Sequence, residues 1–119
     1  MSEQRKEDRK ILISFTPVYD LHKNILLGYL RDLTLQGALV LGNKPLEIHK
    51  DLTLAIDFHE TPLLPATRMR IPARVAWCKH EQQSADYASG FEFLELTDQN
   101  KRVITAILER YQFREELTL

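Results

Sequence analysis

Apolar and polar residues alternate through the first four fifths of the chain, and a period of two marks half-buried β-strands. Ile11, Ile13 and Phe15 alternate, as do Leu52, Leu54, Ile56 and Phe58 with Asp51, Thr53, Ala55 and Asp57 between them. Ile71, Ala73, Val75 and Trp77 form another such set, and Phe91 and Phe93 a shorter one ending near Leu96. Breaks fall at Asn24, at Gly42-Asn43-Lys44-Pro45, at Thr61-Pro62 and from Gln82 to Ser89, where turn-forming residues gather. The spacing predicts about six short strands, mostly antiparallel. After Thr97 the period lengthens: Val103, Ile104, Ile107, Leu108 and Tyr111 recur at helical spacing, with Lys101, Arg102, Glu109 and Arg110 off the stripe. Thr97 or Asp98 can cap that helix. Its single apolar stripe must dock on the sheet, so an all-β barrel or sandwich with a C-terminal helix is the economical architecture. Closing a small barrel would also remove exposed strand edges. The alternation sets Trp77 in the core or half-buried in the wall, against the competing role of a flat surface beside a nucleobase.

Composition narrows the function more than the fold. A length of 119 residues fits one domain, and 44% hydrophobic with 28% charged residues is ordinary for a soluble globular protein. No apolar run approaches the roughly 20 residues of a membrane-spanning helix, so membrane insertion is not expected. The charged start, Met-Ser-Glu-Gln-Arg-Lys-Glu-Asp-Arg-Lys, contains no apolar secretory segment, and the single Cys78 agrees with a reducing compartment; both imply a cytoplasmic protein. With a net charge of -1 and 8% aromatic residues, the chain lacks the basic aromatic face that a nucleic acid polymer would require. No nucleophile triad or glycine-rich phosphate loop stands out, so no enzyme is expected. Cys78 and His80 form a Cys-x-His pair without a second pair at metal-ligand spacing, and His22, His49 and His59 are scattered, so neither a metal nor a cofactor is expected.

Two short segments carry candidate chemistry. In Asp32-Leu33-Thr34-Leu35-Gln36-Gly37, strand periodicity sets Asp32 and Thr34 on one face and Leu33 and Leu35 on the other. Gly37 falls where the chain turns or bulges, and a glycine there permits positive φ or the close approach of a ligand. About one strand and a turn upstream, Arg5 and Arg9 stand in a segment too short and polar to fold alone. Residues 1–10 are thus expected to be a flexible arm, and 11–119 the folded domain. Paired guanidinium groups suit phosphates and the O6 and N7 acceptors of guanine. An aspartate can accept from the guanine N1–H and exocyclic amine, and a threonine hydroxyl can donate to phosphate or base. One half supplies what the other lacks.

The Arg5-Lys6-Glu7-Asp8-Arg9 segment, followed by a strand and then by Asp32-x-Thr34-x-x-Gly37, resembles the two-part nucleotide signature of PilZ domains, the bacterial receptors for cyclic di-GMP. The likeness covers nearly the whole chain: Ile11 to Asp20 looks like the family's first strand, and Leu30 to Val40 its most recognisable stretch. Ala73 to Trp77 and Gly90 to Leu96 are similar as well. The resemblance implies a six-stranded antiparallel barrel over which the N-terminal arm folds onto bound cyclic di-GMP. It implies that Arg5 and Arg9 grip phosphates and guanine, that Asp32 and Thr34 read guanine and phosphate from the barrel, and that Gly37 holds the turn. Thr34 departs from the commoner serine but keeps the hydroxyl. Gln4 leaves no third adjacent arginine, so one nucleotide is expected rather than an intercalated pair. The expected function is that of a stand-alone receptor whose ordered arm presents a new surface to an effector protein. The alternative is a PilZ-like adaptor of pilus or flagellar control that binds no nucleotide.

Overall fold

The computed structural model describes residues 16–60 and 65–110. Within them lie six strands, β1 (Pro17–Asp20), β2 (Ile25–Leu33), β3 (Gly37–Gly42), β4 (Asp51–Phe58), β5 (Thr67–His80) and β6 (Tyr87–Phe93), followed by helix α1 (Asp98–Arg110). They close into a barrel in the order β1-β2-β3-β6-β5-β4, every neighbouring pair antiparallel. The choice between barrel and sandwich is thereby resolved, and no sheet edge is left open among the described strands.

The alternation read from the sequence marks the inner wall. Leu54 and Ile56 of β4, Ile71, Ala73 and Val75 of β5, and Val18, Leu30, Leu33, Val40 and Phe91 from the other strands fill the barrel, each at most 4% exposed. Asn24, at φ 56°, makes the tight β1–β2 reversal, a conformation that asparagine tolerates better than most residues. The alternating Ile11, Ile13 and Phe15 lie outside the described residues; β1 begins at Pro17.

One break is shorter than the sequence suggests. Gln82 to Ser89 is not all turn: β6 starts at Tyr87, with Ala88 and Ser89 only 5% and 2% exposed. These small residues have little strand propensity of their own. They are strand because β3 pairs with them on one side and β5 on the other, and tertiary pairing overrides a weak local preference.

Helix α1 buries Ile104 and Ile107 in the same apolar cluster that fills the barrel, each burial contributing about 1.5–3 kcal/mol. Its orientation is fixed by polar contacts at its start. The Thr97 hydroxyl accepts from the Asn100 backbone N–H at 3.0 Å, and the Asn100 side-chain amide donates to the Arg70 carbonyl of β5 at 3.2 Å. Thr97 is therefore the cap. Thr97→Ala is expected to remove about 1 kcal/mol of stability, and with it about 5 °C of thermal midpoint. Thr97→Ser should restore most of it, and an unchanged melting curve for the alanine variant would show that the cap is unnecessary.

On the outer wall, Arg74 grips Asp51 and Arg68 grips Asp57, each through two hydrogen bonds of 2.6–3.2 Å. The Arg74 hydrogen bonds hold the Asp51 carboxyl below its ordinary range, and the carboxylates push both guanidiniums up. The Asp51 pair thus adds its small share of stability fully above the ordinary carboxylate pKa. That share is lost as the pH falls from there through the lowered value. Both pairs are exposed and contribute little. No helix among the described residues is long and apolar enough to cross a membrane.

Candidate functional site

Two β-bulges shape one region of the barrel wall. On β2, Leu30 pairs with Val40 and Asp32 with Leu39, so Arg31 is an extra residue without a partner across the ladder. Leu30 and Leu33 point inward at 1% and 0% exposure, leaving Arg31 exposed and Asp32 half-buried on the outside. On β5, Val75 pairs with Phe91 and Trp77 with Gly90, which makes Ala76 the extra residue. A bulge displaces the alternation by one position and re-aims the side chains beyond it.

Trp77 is the consequence. The alternation of Ile71, Ala73 and Val75 set it in the core or half-buried in the wall, but the bulge at Ala76 turns it outward, and it is 45% exposed. Its indole lies across Gly90: a Cβ built there would collide with the Trp77 Nε1, Cε2 and Cδ1 atoms. The absence of a side chain at Gly90 is what leaves room for the ring against β6.

Asp32 and Thr34 also depart from simple alternation. β2 ends at Leu33, so Thr34 belongs to the turn into β3 rather than to the strand, and Leu35 is 43% exposed instead of joining an apolar face. The turn is closed by Thr34 itself. Its backbone N–H donates to the Gly37 carbonyl at 2.9 Å, and its hydroxyl oxygen accepts from the N–H groups of Gln36 and Gly37 at 3.1 and 3.2 Å. Both lone pairs of the hydroxyl are thereby engaged. Among the described residues its proton has only the Gly37 carbonyl at 3.4 Å, long for an O–H donor, so the proton can turn to a better-placed acceptor.

The Asp32 carboxylate uses one oxygen, Oδ1, to accept the Leu33 N–H at 2.9 Å. Its other oxygen has no hydrogen-bond donor among the described residues. Gly37 pairs with Glu92 of β6, and a Cβ on Gly37 would overlap the Phe91 carbonyl. The expected reason for this glycine was a positive φ or the approach of a ligand. Gly37 does not adopt a positive φ, and the room is taken by the neighbouring strand.

Asp32, Thr34, Gly37, Ala76, Trp77 and Gly90 line one open depression of about 290 Å3. The barrel thus brings together three of the five residues singled out from the sequence and adds the indole face. Arg5 and Arg9 lie outside the described residues. Trp77 and Gly90 were not legible as a pair, because only the strand register reveals that one lies opposite the other. The depression offers a carboxylate acceptor, a hydroxyl donor and an aromatic surface, a set suited to a planar heterocycle with N–H donors joined to an anionic group.

The Cys78 and His80 side chains are engaged elsewhere. The Cys78 sulfur accepts from the Leu46 N–H at 3.4 Å and the Ser89 hydroxyl at 3.5 Å, while the His80 ring packs edge-on against Tyr87 at 4.9 Å. Among the described residues no group of histidine, cysteine and carboxylate side chains is placed to hold a metal.

Comparison with known proteins agrees with this fold. The model of the PilZ domain matches residues 3–110. Among solved structures the chain is similar to the PilZ domain with c-di-GMP of YcgR from Escherichia coli, with a TM-score of 0.59 and 15% identity over 82% of each chain. That likeness is one of fold. No curated protein matches the sequence. With a six-stranded antiparallel barrel, a C-terminal helix, and a family match that spans all but the ends of the sequence, the chain belongs to the PilZ domain family.

Proposed function

We propose that this protein is a receptor for cyclic di-GMP. The observation that carries the reading is the depression in which an Asp32 oxygen unpaired among the described residues, the Thr34 hydroxyl and the Trp77 ring come together. Asp32 accepts from the guanine N1–H and amine, Thr34 donates to a phosphate oxygen, and the indole supports the base. Arg5 and Arg9 supply the guanidinium forks for phosphate and the Hoogsteen edge. In this reading residues 1–10 close over the nucleotide, and the altered surface is what a partner protein recognises. The family match and a structural neighbour whose description includes c-di-GMP support it.

Calorimetric titration with cyclic di-GMP tests the reading, and the absence of binding heat with wild-type protein would end it. Trp77 is the single tryptophan of the chain, so its emission reports on the depression directly. Ligand is expected to change that emission with saturation near one equivalent. An endpoint near two would replace the single nucleotide with a pair, and an unchanged emission despite measurable binding heat would place the base away from the indole.

A second reading, an adaptor that binds no nucleotide, is favoured by one observation. Thr34 and Gly37 are both occupied in holding the turn and the β3–β6 approach, so the barrel requires them with or without a ligand. The same titration decides between the two.

A further inference from the structure

We infer that Arg31 is an additional ligand-binding residue, one that places a phosphate-gripping cation on the barrel itself; the inference rests on the cyclic di-GMP reading. In an unbroken strand Arg31 and Asp32 would face opposite sides. The bulge between Leu30 and Asp32 cancels that alternation. Leu30 and Leu33 remain buried on either side, and the two residues between them, Arg31 exposed and Asp32 half-buried, both look outward. An arginine is thereby set on the outer wall immediately before Asp32, at the margin of the depression that Asp32 lines.

Arg31 has no hydrogen-bond or ion-pair partner among the described residues. Arg68 and Arg74, elsewhere on the outer wall, are each clamped by a carboxylate. An arginine held by a carboxylate must break that pair to take up a phosphate, whereas Arg31 has no such pair to release among the described residues. Thr34, three residues on, lines the same depression as Asp32, and its hydroxyl proton has only a long contact to the Gly37 carbonyl among the described residues. A phosphodiester that accepted from both would sit beside the base read by Asp32, as the short link between base and phosphate in a nucleotide requires. The rigid barrel would then contribute cation and acceptor together, and the arm would add to a site already half formed.

Arg70 is the control. It is exposed and has no side-chain partner among the described residues, but it lies six residues along β5 from Ala76, about 20 Å in an extended strand. Binding of cyclic di-GMP is measured by calorimetry for the wild type and for Arg31→Ala, Arg31→Lys and Arg70→Ala, at low and high salt. Arg31→Ala is expected to weaken binding about tenfold at low salt, with the difference from wild type narrowing at high salt. Arg31→Lys, which keeps the charge without the fork, should lie within about threefold of wild type, and Arg70→Ala within about twofold. An Arg31→Ala protein that binds as tightly as wild type overturns the inference and leaves the receptor reading intact. A lysine variant as weak as the alanine variant overturns the phosphate contact. Equal losses at Arg31 and Arg70 would show a general field effect and overturn it as well. A wild type that binds no dinucleotide removes both readings.

Discussion

Asp32→Ala should weaken cyclic di-GMP binding by about 30-fold to 150-fold, which corresponds to about 2–3 kcal/mol. The basis is the asymmetry of hydrogen bonding. A guanine that has left water and lost its acceptor keeps two N–H donors unpaired, and a bond to a charged group contributes about 1.5–3 kcal/mol. Asp32→Asn tests the sign of the contact. It preserves size, but one acceptor oxygen becomes an NH2 group that faces the guanine donors, so it should bind no better than alanine. Neither change should unfold the protein, because the carboxylate is half-buried and its contact within the described residues is a single hydrogen bond to the Leu33 N–H. Calorimetry for affinity and a thermal melt for folding separate the two effects. Arg9→Ala, tested in parallel, should lower affinity without moving the melt. Wild-type affinity in either alanine variant would show that the nucleotide does not depend on that residue.

Strand identity was legible where a buried inner wall imposed strict alternation, as in Leu54 and Ile56 or Ile71, Ala73 and Val75. It failed where the ladder takes in an extra residue. Nothing in Val75-Ala76-Trp77 announces a bulge, yet that one residue converts Trp77 from a wall position into an outward-facing surface. Arg31 is the same case on β2, and there the bulge keeps Asp32 outward while Leu33 returns to the core. The β6 start was missed for another reason: Ala88, Ser89 and Gly90 are strand through pairing on both sides, a property of their neighbours rather than of themselves.

The candidate site was legible as chemistry but not as geometry. Side-chain types in Asp32-x-Thr34-x-x-Gly37 suggested acceptor, donor and turn. What they could not convey is how Thr34 is held, with its lone pairs accepting from Gln36 and Gly37 and its proton at a long 3.4 Å from the Gly37 carbonyl. Such a group is fixed in direction before any ligand arrives, and an oriented donor loses less freedom on binding than a rotating one. The two bulges and the Thr34 turn therefore do related work: each takes a side chain out of the regular pattern and holds it toward one depression.

The reason for Gly37 leads to the second large effect, because two physical arguments give opposite signs for Gly37→Ala. Gly37 does not adopt a positive φ. If backbone freedom were all that mattered, alanine would restrict the unfolded chain and stabilise the protein by about 0.4–1 kcal/mol. The contrary argument is steric. A Cβ at this position would overlap the Phe91 carbonyl, a backbone atom of β6 that cannot rotate away as the end of a side chain could. Relief requires β3 and β6 to separate where Gly37 pairs with Glu92 and where the Phe93 N–H donates to the Gln36 carbonyl at 2.9 Å. The steric effect should win, with a loss of about 3 kcal/mol from overpacking and weakened ladder bonds. The thermal midpoint should fall by about 10–15 °C. Gly37→Val should be worse, since it adds branched bulk at the same contact. Binding should fall with stability even at temperatures where the variant is folded, because moving the Gly37 N–H releases the Thr34 hydroxyl that it holds. A urea titration paired with calorimetry reads both. If Gly37→Ala is as stable as wild type, the close approach of β3 to β6 is not what requires glycine here; if it is less stable but binds as wild type does, the turn does not orient Thr34 for the ligand.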